Sequence, residues 1–204
     1  AISSLKDAGH ITIWNKNNTP GISLTTLDEN MNLLAISNKN GAPRTIIRVD
    51  NGGSSVITYD QNGNPGAEMA TDIEGSEVIT SNNGIVGSAI TATKEGGLIV
   101  RCDINGDPKV LIGSTNKNNS IITMHDKNGN RGVHLETTED GSRILTCDKN
   151  GNRGVQISTT IEGNVVTTYY YNGNPGISMV TTPKWSELGI FDEKGQTGKV
   201  YSYK

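Results

Sequence analysis

Large apolar residues recur at every second position in short segments of this chain, and turn-forming residues separate the segments. In the segment RGVHLETT, for example, Val133, Leu135 and Thr137 alternate with the polar residues His134 and Glu136. A period of two is that of a β-strand with one apolar face. The pattern therefore predicts an all-β protein built from short strands.

Turn signals recur about every 11 residues along the whole chain. Turns of the Asn-Gly type follow one another at steps of 21 to 23 residues, and the phrase DKNGNRG occurs twice, at residues 126–132 and 148–154. A second type, mostly an acidic residue followed by Gly, lies midway between them. These second turns are Glu29-Asn30, Gly52-Gly53, Glu74-Gly75, Glu95-Gly96, Asn118-Asn119, Asp140-Gly141 and Glu162-Gly163.

A fixed period of this length indicates a repeat architecture. We predict a single β-repeat domain over residues 1–204, made of about nine 22-residue units of two strands each. Residues 1–10 form an irregular N-terminal segment in this scheme, and residues 183–204 form a C-terminal repeat or cap.

One column of the aligned repeats holds a large apolar residue in every unit, and we call it the apolar ladder. Its members are Leu24, Ile47, Met69, Ile90, Ile112, Leu135, Ile157, Met179 and Tyr201. The strand before each Asn-Gly turn carries a matching column: Ile11, Leu34, Val56, Glu77, Ile99, Ile122, Ile144, Val166 and Leu188. Only Glu77 breaks this column, in a repeat that is one residue short, which predicts a bulge or a shifted register there.

The turns favour an antiparallel hairpin meander over the alternative, a two-sided β-solenoid. Asn-Gly between alternating strands is typical of a two-residue type I′ hairpin turn. A hairpin on Asn150-Gly151 would place Asp148 opposite Arg153 and Ile144 opposite Ile157. A hairpin on Asp140-Gly141 would place Thr137 opposite Ile144. Both put the apolar columns on one face of the sheet.

The composition indicates a thin core. The chain is 33% hydrophobic and 4% aromatic, with 25 glycines. An open one-sided sheet would expose its apolar face to water, and exposed patches of that size indicate association. We therefore expect copies of the chain to assemble, as a trimeric β-prism or a filament, with the apolar ladder as core and assembly surface.

The opposite face of the strands that precede the Asn-Gly turns is also partly apolar. It carries Trp14, Tyr59, Cys102, His125, Cys147, Tyr169 and Phe191, which predicts contact through a second face. Cys102 and Cys147 are expected to be free thiols, because a disulfide scaffold uses more cysteines.

Catalytic and metal-binding chemistry is not predicted. The Asp-x-Asn-Gly-Asn turns lack the bidentate Glu of an EF-hand loop. Cys102, His125 and Cys147 are ligand types for zinc, but a meander spaces them about 10 Å apart and supplies no fourth ligand. The chain carries no nucleotide-binding or nucleophile motif. We expect no enzyme activity and no cofactor.

Charge and hydropathy bear on the remaining partners. The net charge is −3 and no basic block is present, so nucleic acid is not expected as a partner. Apolar runs are short, so no transmembrane segment is expected in this chain.

The turn D-x-N-G-N-[PR]-G, followed by an apolar-x-apolar-x-Thr strand, resembles repeats of uncharacterised bacterial surface or secreted proteins. The resemblance extends from about Ile11 to Tyr201, and a weaker likeness holds to phage tail-fibre shafts and to curli subunits. It implies an extracellular or cell-surface location, including a phage particle.

These observations predict a structural, self-associating repeat protein that acts as shaft or filament subunit of a surface fibre. The alternative is a glycan-binding or adhesive module of a phage tail fibre or bacterial surface protein. In that alternative, Trp14, Tyr170, Tyr171 and Trp185 would stack on sugar rings.

Overall fold

The computed structural model describes residues 2–5, 8–27, 30–114 and 119–203. Backbone contacts divide the chain into two compact units, residues 1–97 with 102–106, and residues 98–101 with 107–204. Two sequence predictions fall partly outside the described residues, namely the turns Glu29-Asn30 and Asn118-Asn119. That all residues form a single domain stays a prediction.

The described residues are all-β, as the sequence predicted. The first unit contains β1 (Ile2–Leu5), β2 (Ala8–Trp14), β3 (Pro20–Thr26), β4 (Met31–Ser37), β5 (Pro43–Asp50), β6 (Gly53–Tyr59), β7 (Pro65–Asp72), β8 (Gly75–Asn82) and β9 (Ile85–Thr93). Residues of β10 (Gly96–Cys102) belong to both units. The second unit contains β11 (Pro108–Ser114), β12 (Ser120–His125), β13 (Arg131–Thr138), β14 (Gly141–Cys147), β15 (Arg153–Thr160), β16 (Gly163–Tyr169), β17 (Pro175–Thr181), β18 (Ser186–Phe191) and β19 (Thr197–Tyr203).

The chain ends depart from the expected pattern in one place. The N-terminal segment carries a regular strand, since β1 pairs antiparallel with β2 through Leu5 and Ala8. At the other end, β18 and β19 continue the hairpin pattern as predicted.

Each unit is an antiparallel hairpin meander, and the solenoid alternative is wrong. In the first unit β1 to β9 pair in sequence order, and in the second unit β11 to β19 do the same. Within the described part of each unit, strands contact only the strands next to them in sequence. The described strands of each unit therefore form a single layer with two faces.

The apolar ladder and its matching column alternate across the strands of each unit, in register, and from here on the name apolar ladder covers both columns. In the first unit it pairs Ile11, Leu24, Leu34, Ile47, Val56, Met69, Val78 and Ile90 in turn across the strands. In the second unit it pairs Ile112, Ile122, Leu135, Ile144, Ile157, Val166, Met179, Leu188 and Tyr201. Cross-strand apolar pairs of this kind stabilise a sheet by about 0.2–1 kcal/mol each.

The short repeat keeps the ladder intact by a shift of register, as the sequence predicted. Val78, not Glu77, pairs with Met69 and Ile90, so Glu77 points to the opposite face. Two strand positions further, the register of β8 against β9 shifts between Thr80 and Ser81. The turn at Asn83-Gly84 is one residue shorter than the other Asn-Gly loops, and the bulge, which the other hairpins share, keeps the apolar side chains on one face.

The Asn-Gly turns differ from the predicted two-residue type I′ turns. At residues 148–152 the amide of Gly151 donates to the Asp148 carbonyl at 3.0 Å, and the Asp148 amide donates to the Asn152 carbonyl at 2.8 Å. Gly151 has φ of 84°. This is a three-residue loop with a type I turn and a left-handed glycine. The true Asn-Gly type I′ turn is at residues 82–85, where Asn83 also has positive φ, 52°.

The longer loop changes one predicted pair and leaves the others correct. Ile144 faces Ile157, as predicted, but a bulge between Thr146 and Cys147 places Arg153 opposite Cys147 and not opposite Asp148. The predicted Asp148–Arg153 salt pair is therefore wrong. The Arg153 guanidinium lies 6.0 Å from the ring centroid of Tyr169, within range of a cation–π contact.

The acidic-Gly turn at residues 138–141 is centred one residue earlier than predicted. Thr138 pairs with Gly141, so the loop is Glu139-Asp140 and Leu135 faces Ile144. The predicted pairing of Thr137 with Ile144 is wrong by two residues, which preserves the face. Gly141 begins the strand because its backbone has φ of 147°, a conformation that side chains disfavour.

A glycine substitution tests this account of the turns. A Cβ at Gly141 would lie 1.9 Å from the Thr159 carbonyl oxygen, whereas a Cβ at Gly151 would meet nothing within 4 Å. We expect Gly141→Ala to lower the free energy of unfolding by about 3 kcal/mol, because backbone must move. Gly151→Ala should cost about 1 kcal/mol, from its left-handed φ alone. Denaturant titration of both variants checks this, and equal costs would contradict it.

Candidate functional site: an exposed apolar ladder

The apolar ladder is not a buried core within the single chain. Most of its members are exposed, from 36% at Ile47 to 57% at Tyr201, and Leu135 is half-buried. The ladder lies near the middle of each strand, so it forms a stripe across the face. An apolar stripe of this length is the feature of each unit that most clearly calls for a partner.

A row of small polar residues borders the stripe on the side of the acidic-Gly turns. In the second unit it consists of Ser120, Thr137, Ser142, Thr159, Asn164, Thr181 and Ser186, paired across the strands. Neighbours hydrogen-bond, as Ser142 Oγ does to Thr137 Oγ1 at 3.4 Å. Small polar residues of this kind are typical of the polar rim of a protein–protein interface.

In the first unit the ladder face includes a shallow apolar groove of about 520 Å³. Ile47, Val56, Met69, Val78 and Ile90 line its floor. It is an open depression along the ladder, with a shape that suits side chains from an opposing surface.

The comparisons with known proteins leave the chain without a family. No protein-family model matches it, and no curated protein matches its sequence. The described residues include no helix with the length and apolar character needed to cross a membrane.

The residues predicted for a second-face contact lie together in one row of each unit. Each is the last residue of its strand, at the bulge beside an Asn-Gly turn, as at Trp14, Tyr59, His125, Cys147, Tyr169 and Phe191. Apart from Trp14, which is 49% exposed, they are half-buried. Cys102 and Cys147 are free thiols, as expected.

The most buried side chains lie on this second face, and sequence reasoning missed them. They are Thr12, Thr123, His134, Leu145 and Thr167, each less than 9% exposed. The alternation of His134 with apolar residues, beside Glu136, predicts a solvated side chain; that prediction is wrong, since His134 is 6% exposed. Thr123, His134 and Leu145 pair across neighbouring strands, so the signal is a central register position on this face and not the residue type.

His134 is held in a small polar network. Its Nδ1 lies 3.0 Å from Thr123 Oγ1, and its Nε2 lies 3.5 Å from Glu136 Oε2. The Arg143 guanidinium lies 2.6 Å from the same carboxylate oxygen. The cluster gives the buried imidazole partners on both sides, which is the usual requirement for polar groups inside a sheet face.

Metal ligands and aromatic side chains are not gathered into a site within the described residues. No group of three His, Cys, Asp or Glu side chains there could hold a metal ion. In the second unit, Tyr171 and Trp185 lie in the turns at opposite ends of β17, so they share no platform for a sugar ring. The ladder face and its edges are therefore the candidate functional site.

The Asn-Gly turns lie in a row at one end of the strands of each unit, which we call the Asn-Gly edge, and the acidic-Gly turns form the acidic-Gly edge at the other end. At the Asn-Gly edge, side-chain hydrogen bonds join neighbouring turns. Asn130 Nδ2 donates to the Lys149 carbonyl at 2.8 Å, and Asn174 Nδ2 donates to the Glu193 carbonyl at 2.9 Å. In the first unit Thr19 Oγ1 donates to the Lys39 carbonyl at 3.0 Å. In the D-x-N-G-N phrase at residues 126–130, the final Asn therefore links one hairpin to the next.

In several of these turns the first residue is Asp or Asn, and its side chain accepts hydrogen bonds from the turn's own backbone. Asp60 Oδ1 accepts from the amides of Asn62 and Asn64, at 2.8 and 2.9 Å. The Asn64 amide is the main cause that holds the pKa of Asp60 below its ordinary 3.8. In the same way the Asn150 amide, with the Asn152 side chain, lowers the pKa of Asp148.

Asparagine already replaces this aspartate in two turns of the first unit. Asn38 Oδ1 accepts from the amides of Asn40 and Ala42, at 2.8 and 3.1 Å. Asn15 Oδ1 accepts from the Asn17 amide at 2.8 Å. An amide oxygen therefore caps the turn as a carboxylate does, but without a charge that titrates.

The pH dependence of stability follows from these lowered pKa values. A carboxylate with a depressed pKa stabilises the fold above its ordinary pKa, and that stabilisation is lost as the pH falls through the lowered value. We expect the melting temperature to fall below pH ~4 and to fall less in the D60N/D148N variant. Calorimetry between about pH 5 and about pH 2.5 measures both curves. Parallel curves for the two proteins would contradict the role of these carboxylates.

Proposed function

We propose that this chain is a structural repeat protein that self-associates, as shaft or filament subunit of an extracellular surface fibre. The observation that carries the proposal is the apolar ladder. It is continuous across the strands of each unit, and most of its side chains remain more than a third exposed in the single chain.

The distribution of features supports a structural role. The repeats each contribute a large apolar residue to the ladder, and the same pair of turn hydrogen bonds recurs at residues 38–42, 60–64, 126–130, 148–152, 170–174 and 192–196. Stacked repeats that contact only their neighbours are typical of scaffolds and extended binding surfaces. A single-layer unit also has less buried apolar area than a two-layer domain, and association supplies what is missing.

The proposed location rests on the resemblance of the turn phrase to bacterial surface and secreted repeats. Abundant Gly, with Asn, Ser and Thr in the turns and rims, gives a surface without dense charge. A fibre shaft needs such a surface and needs a repeat that can be added without limit.

Sedimentation tests the proposal directly. We expect species heavier than the 21.7 kDa chain at micromolar concentration, and a distribution that shifts to larger species as concentration rises. Negative-stain microscopy of the same sample should show regular particles or filaments.

A glycan array on the same preparation separates the alternative. A 21.7 kDa monomer at every concentration would overturn the proposal. If that monomer bound sugars on the array, the glycan-binding alternative would replace it.

A further inference from the structure

We infer that two copies pack ladder face against ladder face with their edges exchanged, so that the Asn-Gly edge of one copy lies over the acidic-Gly edge of the other. The inference rests on the proposed self-association and specifies its geometry. It commits to one occupant of the exposed apolar face, a second copy of the chain.

The exposed apolar area fits such an interface. On the ladder face of the first unit, Ile11, Ile13, Ile22, Leu24, Ile36, Ile47, Val49, Met69, Val78 and Ile90 are all exposed by 36% or more. At about 70–80 Å² each, they present roughly 700 Å², close to the ~800 Å² that each partner contributes to a standard interface.

The period of the ladder also suits a second copy. Neighbouring ladder residues are spaced by the distance between strands, about 4.8 Å, and a copy of the same chain repeats that spacing. Packed sheets lie about 10 Å apart, with side chains of the two inner faces interdigitating. Because the ladder runs across the middle of the strands, the ladders of the two copies face each other in either face-to-face orientation.

Several corners of the two edges carry opposite charge, and this difference favours one orientation; Lys94 and Lys184 at the acidic-Gly edge and Glu193 at the Asn-Gly edge are exceptions. At the Asn-Gly edge the first corner residue is an exposed lysine in several turns: Lys16, Lys39, Lys127 and Lys149. At the other edge the second corner residue is an exposed acid: Glu74, Glu95, Asp140 and Glu162. Of the two face-to-face orientations, one places lysine over lysine, and the other places lysine over acid.

The aspartates of the Asn-Gly edge oppose this polarity, but their charges lie closer to the backbone than those of the lysines. Asp60 and Asp148 are bonded to the amides of their own turns, which holds their carboxylates against the backbone. The lysine side chains extend beyond the turn and are the groups that a second copy meets first. Rim charges of this kind set orientation more than affinity, and salt weakens their effect.

Charge reversal on the full-length chain tests the orientation. We would make K127E/K149E at one edge and D140K/E162K at the other, and measure association by sedimentation at low salt. Each variant alone should associate at least tenfold more weakly than the parent chain. An equimolar mixture of the two should recover the parental affinity within about threefold, because opposite charges again face each other.

A second pair of variants tests the face. Ile144 and Ile157 are both 42% exposed on the ladder face, and I144T/I157T keeps a residue that favours strands. We expect this variant to lose association at least tenfold. Val200 lies on the opposite face and is 46% exposed, so V200T is the matched control and should associate like the parent.

The outcomes separate this inference from the proposed function. A parent chain that stays monomeric overturns both, and binding of that monomer to phosphatidylcholine vesicles through the ladder would assign the face to lipid. Association that survives I144T/I157T supports the proposed function and overturns the ladder interface. Association that the ladder variant abolishes, but that neither reversed pair weakens, overturns the exchanged-edge orientation.

Discussion

Side-chain alternation along each strand, kept in phase by the turns, is the constraint on which the structure depends. Every loop in the meander returns the chain with the apolar residue of one strand opposite the apolar residue of the next, as with Leu135, Ile144 and Ile157. An odd slip at a single turn would send half of the ladder to the other face. The short repeat shows this constraint, because its shorter turn at Asn83-Gly84, with the bulge beside Thr80, still places Val78 opposite Ile90.

Because of this alternation, the two faces of each unit differ in burial. On the second face Thr123, His134 and Leu145 pair across neighbouring strands and are buried. The ladder face has only modest side chains and a row of Ser and Thr, and it remains open. One face thus stabilises the unit from within, and the other is left for association, which is why the function is proposed at the ladder.

Periodicity gave the ladder, the fold class and the Asn150 hairpin register, because those depend only on polarity at alternating positions. Turn type was harder, since Asn-Gly suits both a type I′ turn and a type I turn with a left-handed glycine. Gly141 looked like a turn corner, but the close approach of the Thr159 carbonyl makes it a strand residue. The burial of His134 was missed because residue type alone says nothing about its central register position on the second face. Which partner covers the ladder depends on a second molecule, which one sequence does not describe.

Backbone nuclear Overhauser contacts between neighbouring strands test the central claim most directly, with Leu135, Ile144 and Ile157 isotopically labelled. A meander with alternation kept in phase predicts contacts from Ile144 to both Leu135 and Ile157, and none directly between Leu135 and Ile157. Backbone contacts that join Leu135 to Ile157 directly, one full repeat apart, would mean that units stack as a solenoid and would contradict the account.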